Sequence, residues 1–370
     1  MEPELPHLPH EILFDILSRL PVKPLCRFKS VSKPWLALIT NPCFIKSQLN
    51  HQYTRGNHTQ KLIVAASKGY GASETSQSVY SVDFKVPDYP LTELEVPCKS
   101  GVRILGSFNG VILLRIRHEL CLWNPSIRTY RKFSQPKCPN GARTYGLCYD
   151  YVSDDFKVVR AVMPSSNVPC DVHVFTCKLG SWKKIGDLGY EICGRGPGMV
   201  VNGMPHWILR RGGSTDGTKN LVIVCFDATK EEFKEVPLPA NSKRESRLWN
   251  MKLGIFGGWL CVVSKYLDLR TNVWVMKEYG VNESWTKLSV MSLPKGSGVS
   301  DVALLIFVIL MPLCYAKDGE VVAVLNSFEL VIYNPKKQTK VPIQPCFYHH
   351  LDVALYVESL FSPHGLRHCC

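Results

Sequence analysis

Apolar residues follow two different periods along the chain, and the period changes near residue 55. Between Pro9 and Pro21 they recur at the spacing of one helical face, a pattern typical of an amphipathic helix. Proline fits the first turn of a helix and also ends one, so the two prolines mark the limits of this segment. The apolar positions of the predicted helix are Ile12, Leu13, Ile16, Leu17 and Leu20.

Three more short helices are predicted before residue 50. Pro24 opens the second, Ser32 is a candidate N-cap for the third, and the pair Asn41-Pro42 opens the fourth. A segment this short cannot form a self-sufficient hydrophobic core, yet it carries more apolar side chains than so small a unit can bury. We therefore interpret it as a docking module with exposed apolar surface.

Beyond residue 55 apolar and polar residues alternate, and a strand, a polar turn and a second strand recur in six copies. Roughly 50 residues separate successive copies, enough for four strands in each unit. The repeat predicts a six-bladed β-propeller, with residues 351–361 closing the ring on the first blade. Two packed antiparallel β-sheets are the alternative architecture. The equivalent points of the six hairpins are Asp83, Asn124, Thr176, Asp227, Lys277 and Asn334.

The N-terminal segment resembles an F-box of the plant type, whose pattern runs LPxEI, then RLPVKSLxRFKxVSKxW, then LIxxPxFxxxxL. Pro24 and Pro34 depart from the pattern, because serine is usual at both positions. Each falls in the first turn of a predicted helix, where proline is tolerated. The matching residues are Leu8, Pro9, Glu11, Ile12, Ile16, Leu17, 19–23, Leu25, 27–29, 31–33, Trp35, Leu38, Ile39, Pro42, Phe44 and Leu49.

The rest of the chain resembles the F-box-associated domain, of the type 1 and kelch-like kind, that follows this F-box in plant proteins. The resemblance implies a multidomain α+β chain, with a small helical module before an all-β domain. It divides the chain into an F-box at 1–50, a linker at 51–60, a substrate-binding domain at 61–361 and a tail at 362–370. The matching segments include 122–128, 145–150, 154–160, 274–281, 283–288 and 356–360.

The composition, 45% hydrophobic and 20% charged, is that of a folded soluble protein. The acidic N-terminus does not resemble a signal peptide. Of the fifteen cysteines all but the adjacent Cys369 and Cys370 lie singly, mostly in apolar strand-like runs, which favours free buried thiols in a reducing compartment. We expect the protein in the cytoplasm, the nucleus or both. The apolar run at 302–316 is too short to span a bilayer and contains Pro312, so it predicts a buried strand and no membrane segment.

Candidate chemistry is sparse, and we expect no catalytic residue, no metal site and no cofactor. Cys170, His173 and Cys177 suggest a metal set, but the odd spacing from 170 to 173 places them on opposite faces of a strand. Asp154 and Asp155 resemble a general acid/base pair, yet they fall in a predicted turn. The net charge of +13 is dispersed over several blades, which favours steering of acidic partners over nucleic-acid binding.

The F-box resemblance implies a substrate-recognition subunit of an SCF-type (Skp-cullin-F-box) ubiquitin ligase, without catalysis of its own. Its helices would bind a Skp-type adaptor, and through it the cullin and RING subunits, while the propeller holds an unidentified protein substrate. The alternatives are a non-degradative adaptor-binding scaffold and a propeller enzyme with a docking module. Some of the residues assigned to adaptor contact must instead form the helical core, and the sequence does not sort them. They are Leu8, Pro9, Ile12, Leu13, Ile16, Leu17, Leu20, Pro21, Val22, Leu25 and Trp35.

Overall fold

The fold is drawn from a computed structural model of the chain. The structure describes residues 8–54, 60–67, 77–83, 89–98, 101–137, 141–163, 170–192, 196–212, 221–240, 251–265, 270–292, 310–316, 319–325, 328–343 and 350–366.

Four helices form the N-terminal module, as the sequence predicts. They are α1 (His10–Ser18), α2 (Val22–Phe28), α3 (Lys33–Thr40) and α4 (Pro42–Thr54). Ser32 caps α3, because its side chain accepts a hydrogen bond from the Trp35 amide at 3.3 Å. Helix α2 begins two residues before Pro24, which still lies within its first turn. Helix α4 continues beyond residue 50 into the predicted linker.

Six antiparallel sheets follow, each formed mainly by one contiguous stretch of chain. In blade 1 the order is β25 (His350–Val357), β1 (Gln60–Ser67), β2 (Gln77–Asp83) and β3 (Leu91–Leu94). Blade 2 holds β4 (Val102–Phe108), β5 (Val111–Ile116), β6 (Glu119–Asn124) and β7 (Thr129–Phe133). Blade 3 holds β8 (Ala142–Asp150), β9 (Asp155–Met163), β10 (Cys170–Thr176) and β11 (Ser181–Leu188).

The other three blades repeat this plan. Blade 4 holds β12 (Tyr190–Glu191), β13 (Met199–Val201), β14 (Met204–Arg211), β15 (Leu221–Asp227) and β16 (Glu232–Val236), and both β12 and β13 pair with β14. Blade 5 holds β17 (Met251–Phe256), β18 (Trp259–Lys265), β19 (Arg270–Met276) and β20 (Trp285–Ser292). Blade 6 holds β21 (Leu310–Tyr315), β22 (Val321–Leu325), β23 (Glu329–Asn334) and β24 (Thr339–Pro342).

The ring closes through its two ends, because β25 pairs with β1 from Gln60↔Val357 to Ser67↔His350. This pairing gives blade 1 its innermost strand and removes an exposed sheet edge. The prediction that residues 351–361 close the ring on the first blade is confirmed. The alternative of two packed sheets is excluded, because the strands form six separate sheets.

The repeated hairpin points also fall where the sequence predicts. Five of the six points are the last residue of the third strand of their blade. The exception is Lys277, which directly follows the end of β19. Apolar side chains fill the spaces between blades. Trp285, 9% exposed, packs in a cluster that joins blades 4 and 5, and its Nε1 donates to the Pro237 carbonyl oxygen at 2.9 Å.

Part of the apolar run at 302–316 forms strand β21, which pairs with β22. Residues 302–309 lie outside the described residues. Within the part of the chain that the structure describes, no helix has both the length and the apolar character needed to cross a bilayer.

The helices and the ring share one hydrophobic core. A single cluster of buried residues includes Leu17, Leu25 and Phe44 of the helices together with Leu113 and Phe361 of the ring. Helix α2 lies against the 3-10 turn Pro125–Ile127 that follows β6. The ring therefore supplies the apolar surroundings that four short helices lack. We call this cluster the joint core.

Candidate functional site

The outer surface of the helical module carries exposed apolar side chains. We call this set the outward face: it is contributed by α1, α3 and the residues flanking them. Isolated exposed apolar residues are ordinary on a protein surface, but Ile12 and Ile16 lie one turn apart on the same side of α1, and exposed apolar residues grouped in this way mark an interaction site. The members are Leu8 (59% exposed), Ile12 (48%), Ile16 (46%), Val31 (60%) and Leu36 (44%).

The structure sorts the eleven residues that the sequence assigns to adaptor contact. Three are buried in the joint core: Leu17, Val22 and Leu25. Three are half-buried against it: Leu13, Leu20 and Trp35. Five are exposed: Leu8, Pro9, Ile12, Ile16 and Pro21.

Two members of the outward face, Val31 and Leu36, are missing from the sequence assignment. Leu36 follows Trp35 directly, so the two side chains point about 100° apart around α3. Trp35 packs edge-on against Phe28 with ring centroids 5.3 Å apart, which leaves Leu36 on the solvent side. The N-cap at Ser32 sets where α3 begins, and the burial of Leu38 and Ile39 sets which side of α3 faces the core.

The opposite surface of the module is held to the ring by polar contacts around the joint core. Lys46 of α4 forms an ion pair with Asp154 in the turn between β8 and β9, with Nζ and Oδ1 2.6 Å apart. The Tyr53 hydroxyl donates to Asn109 Oδ1 at 3.2 Å. Because these contacts engage blades 2 and 3, α4 has a fixed position on the ring.

Asn124 ties the closing segment of the ring to blade 2. Its Nδ2 donates to the carbonyl oxygens of Ser359 at 3.0 Å and Phe361 at 2.8 Å. The buried Tyr356 hydroxyl donates to Asn124 Oδ1 at 3.0 Å. Burial raises the pKa of Tyr356, so its hydroxyl keeps the proton that this bond needs. The segment 122–128 thus has a structural role, because Asn124 holds residues 359–361 in place beneath α2.

A cavity of about 1470 Å³ runs through the centre of the ring. The innermost strands of the blades line it, including β4, β17, β21 and β25, and α4 lies at one end. Its apolar wall residues include Ile104, Leu253, Met311, Val353 and Leu355. We call this cavity the channel.

Among the described residues, four lysine and arginine side chains line the channel. Lys46 pairs with Asp154, and Arg103 pairs with Asp352 at 2.5 Å. Arg210 pairs with Glu191 at 3.3 Å, while its buried Nε has no hydrogen-bond partner within the described residues. The fourth basic residue is Lys252.

The two carboxylates that resemble an acid/base pair are engaged in separate contacts. Asp154 holds Lys46 of α4, and Asp155 accepts a hydrogen bond from the Lys178 amide at 2.8 Å. Burial raises the pKa of Asp155 against the opposing effect of the Lys178 contacts. Asp154 therefore serves the joint between helices and ring, whereas Asp155 holds the turn that follows β10.

Two protein families match this chain, one over the helices and one over the ring. The family described as "F-box domain" matches residues 5–47, and the family described as "F-box associated beta propeller domain" matches residues 61–350. The F-box protein CPR1 of Arabidopsis thaliana is 34% identical over 92% of this chain and 85% of that protein. An F-box/kelch-repeat protein of the same plant is 28% identical over 98% of this chain and 97% of its own length.

Proposed function

Because this chain belongs to the F-box proteins that carry an F-box associated beta propeller domain, we propose that it is the substrate-recognition subunit of an SCF-type ubiquitin ligase. An F-box domain implies binding of a Skp-type adaptor. The observation that carries the proposal is the outward face, a group of exposed apolar side chains on helices whose other side is buried in the joint core. Covering apolar surface of this kind with a partner removes it from water and lowers the free energy of the complex.

In this role the chain works by proximity. The adaptor links it to the cullin and RING subunits, and the propeller holds a protein substrate whose identity the chain does not encode in recognisable form. Holding the substrate raises the effective concentration of its lysines near the ubiquitin-charged enzyme. The ion pair and the joint core support this role, because a fixed angle between helices and ring limits the volume that the substrate can explore.

The finer assignments belong to the same proposal. They are the type 1, kelch-like subgroup, the division at residues 50, 60 and 361, and a location in the cytoplasm, the nucleus or both. Adaptor contact is assigned to the exposed members of the sequence set together with Val31 and Leu36.

The test compares the full chain with an Ile12→Asp, Ile16→Asp double variant in plant cells whose proteasome is blocked. We expect the variant to lose the adaptor, because two carboxylates would have to be desolvated at the interface. It should still capture the substrate, but the substrate should no longer be ubiquitinated. Val341→Asp, a change of the same chemistry at a residue 62% exposed on β24, is the control and should retain the adaptor.

Adaptor capture by the double variant at the wild-type level would refute the assignment of the outward face. Substrates that bind the wild-type chain yet keep the same half-life when it is depleted would instead support a non-degradative scaffold.

A further inference from the structure

Lys252 differs from the other basic residues of the channel. Lys46, Arg103 and Arg210 each have a carboxylate partner. Among the described residues, Lys252 has no hydrogen-bond or ion-pair partner, although it lies on the channel wall. An ammonium group on a concave protein wall without an opposite charge keeps only part of its hydration, and a bound anion would supply the missing charge.

The surroundings lower the pKa of the Lys252 ammonium below its usual value, because burial disfavours its charged form. The side chain is nonetheless accessible to solvent. These two properties are compatible, since a concave wall admits water while surrounding the ammonium with protein. Lys252 therefore faces a space that a ligand can enter.

The position of Lys252 places it at the channel end away from α4. It is the second residue of β17, just as Arg103 is the second residue of β4. The other end of β4 leads to Asn109, which contacts Tyr53 of α4. Asp352, the partner of Arg103, likewise lies near the start of β25. This channel end thus combines an unpaired lysine with two arginines whose charges carboxylates already balance.

The size and the walls of the channel indicate the kind of ligand. About 1470 Å³ exceeds the ~300–1,000 Å³ typical of small-molecule sites, which favours a peptide segment. Two apolar residues of the channel wall are close to Lys252 in the fold. Leu253 follows it in β17, and Met311 lies in β21 of the next blade. A segment that alternates acidic and apolar side chains complements both.

We propose that the channel end away from α4 binds an acidic peptide segment of the substrate, with Lys252 as the partner of a carboxylate. This inference rests on the proposed function and deepens it, because it names the chemistry by which the substrate is recognised. Arg210, which also lines the channel, adds a further cationic side chain. The positive net charge of the whole chain favours approach of an acidic segment.

The experiment uses the full chain purified together with a Skp-type adaptor. The probe is a short fluorescent peptide of alternating leucine and glutamate, and the matched peptide has glutamine in place of glutamate. We expect saturable binding of the glutamate peptide, weakening as salt is raised, and much weaker binding of the glutamine peptide. Lys252→Glu should weaken binding of the glutamate peptide at least about tenfold, and Lys252→Arg should restore most of it.

The control is Lys336→Glu, which makes the same charge change at an exposed lysine in the turn between β23 and β24. Its affinity for the peptide should stay within about twofold of wild type. Equal effects of the two glutamate substitutions, equal binding of both peptides, or no binding to the wild-type chain would overturn the proposal. Adaptor co-purification, measured on the same samples, reports separately on the proposed function.

Discussion

The two sides of the helical module differ in what covers them. The outward face leaves Ile12 and Ile16 exposed, whereas the inward side buries Leu17, Leu25 and Phe44 with residues of the ring. Adjacent residues on α1 thus have different tasks, since Ile16 is 46% exposed and Leu17 is 2% exposed. The comparison teaches that a single amphipathic stripe can serve two partners, one within the chain and one outside it.

The largest expected effect comes from a charge placed on the inward side. Leu17→Asp would bury a carboxylate in the joint core without a partner, which we expect to cost several kcal/mol of stability. Chemical denaturation of the full chain should show a much lower midpoint, and adaptor binding should fall because the module is no longer folded. Since the core is shared, hydrogen exchange should also quicken in blades 2 and 3.

Ile16→Asp is the matched variant, with the same new side chain one residue earlier. It should leave the denaturation midpoint nearly unchanged and still lose the adaptor. Equal destabilisation by the two substitutions would show that the outward and inward sides are not distinct.

The next effect is a dependence of stability on pH that originates in the ring and not in the helices. His206 in β14 is fully buried; its Nδ1 lies 3.2 Å from the Met199 carbonyl oxygen and its Nε2 lies 2.6 Å from the Tyr279 hydroxyl. Burial lowers the pKa of His206 to about 4. Between the unfolded value of about 6.5 and pH 4 the unfolded chain binds the extra proton, so stability falls as the pH is lowered through this window.

The loss attributable to His206 should reach roughly 3 kcal/mol at the acid end of the window. Thermal denaturation from pH 7 to pH 4 measures it, and His206→Gln should flatten the dependence. His10→Gln, at an exposed position of α1, is the control and should leave the slope as in wild type. An unchanged slope in His206→Gln would show that other groups cause the acid sensitivity.

The smallest effect concerns the lock beneath α2. Asn124→Ala leaves the buried carbonyl oxygens of Ser359 and Phe361 without their donor, which we expect to cost about 1–3 kcal/mol. The outward face should be unaffected, so adaptor affinity should stay near wild type while the melting temperature falls. Asn334→Ala, at the equivalent point of blade 6, is the matched control. Its Nδ2 donates to the Glu320 side chain at 3.1 Å, and its Oδ1 accepts hydrogen bonds from the exposed amides of Lys336 and Lys337. Water can replace partners at such exposed positions, so a smaller loss is expected.

Local patterns were enough to predict the four helices and the six blades. The stripe on α1, the cap at Ser32 and the six hairpin points depend on residues close in sequence, and the structure has them where the patterns indicate. The ring followed from the repeat because a blade contacts mainly itself and its neighbours.

What the sequence could not predict depends on contacts between distant residues. Whether Leu17 faces an adaptor or a core is decided by the ring surface beneath it, which no helical period contains. The same holds for the ion pair between Lys46 and Asp154 and for the closing contacts of Asn124. Lys252 is likewise an ordinary lysine in the sequence, and only its place on the channel wall distinguishes it.

The position of the closing segment also determines when the molecule can be completed during synthesis. The helices leave the ribosome about 300 residues before Val357, Leu360 and Phe361, which belong to the joint core that covers the inward side of the helices. At about 5–20 residues per second, roughly 15–60 s pass between the two events. During this interval the nascent chain carries apolar helical surface on both sides, inward as well as outward. A partner that binds the outward side during synthesis would therefore leave the inward side exposed, and a chaperone would still have to cover that side.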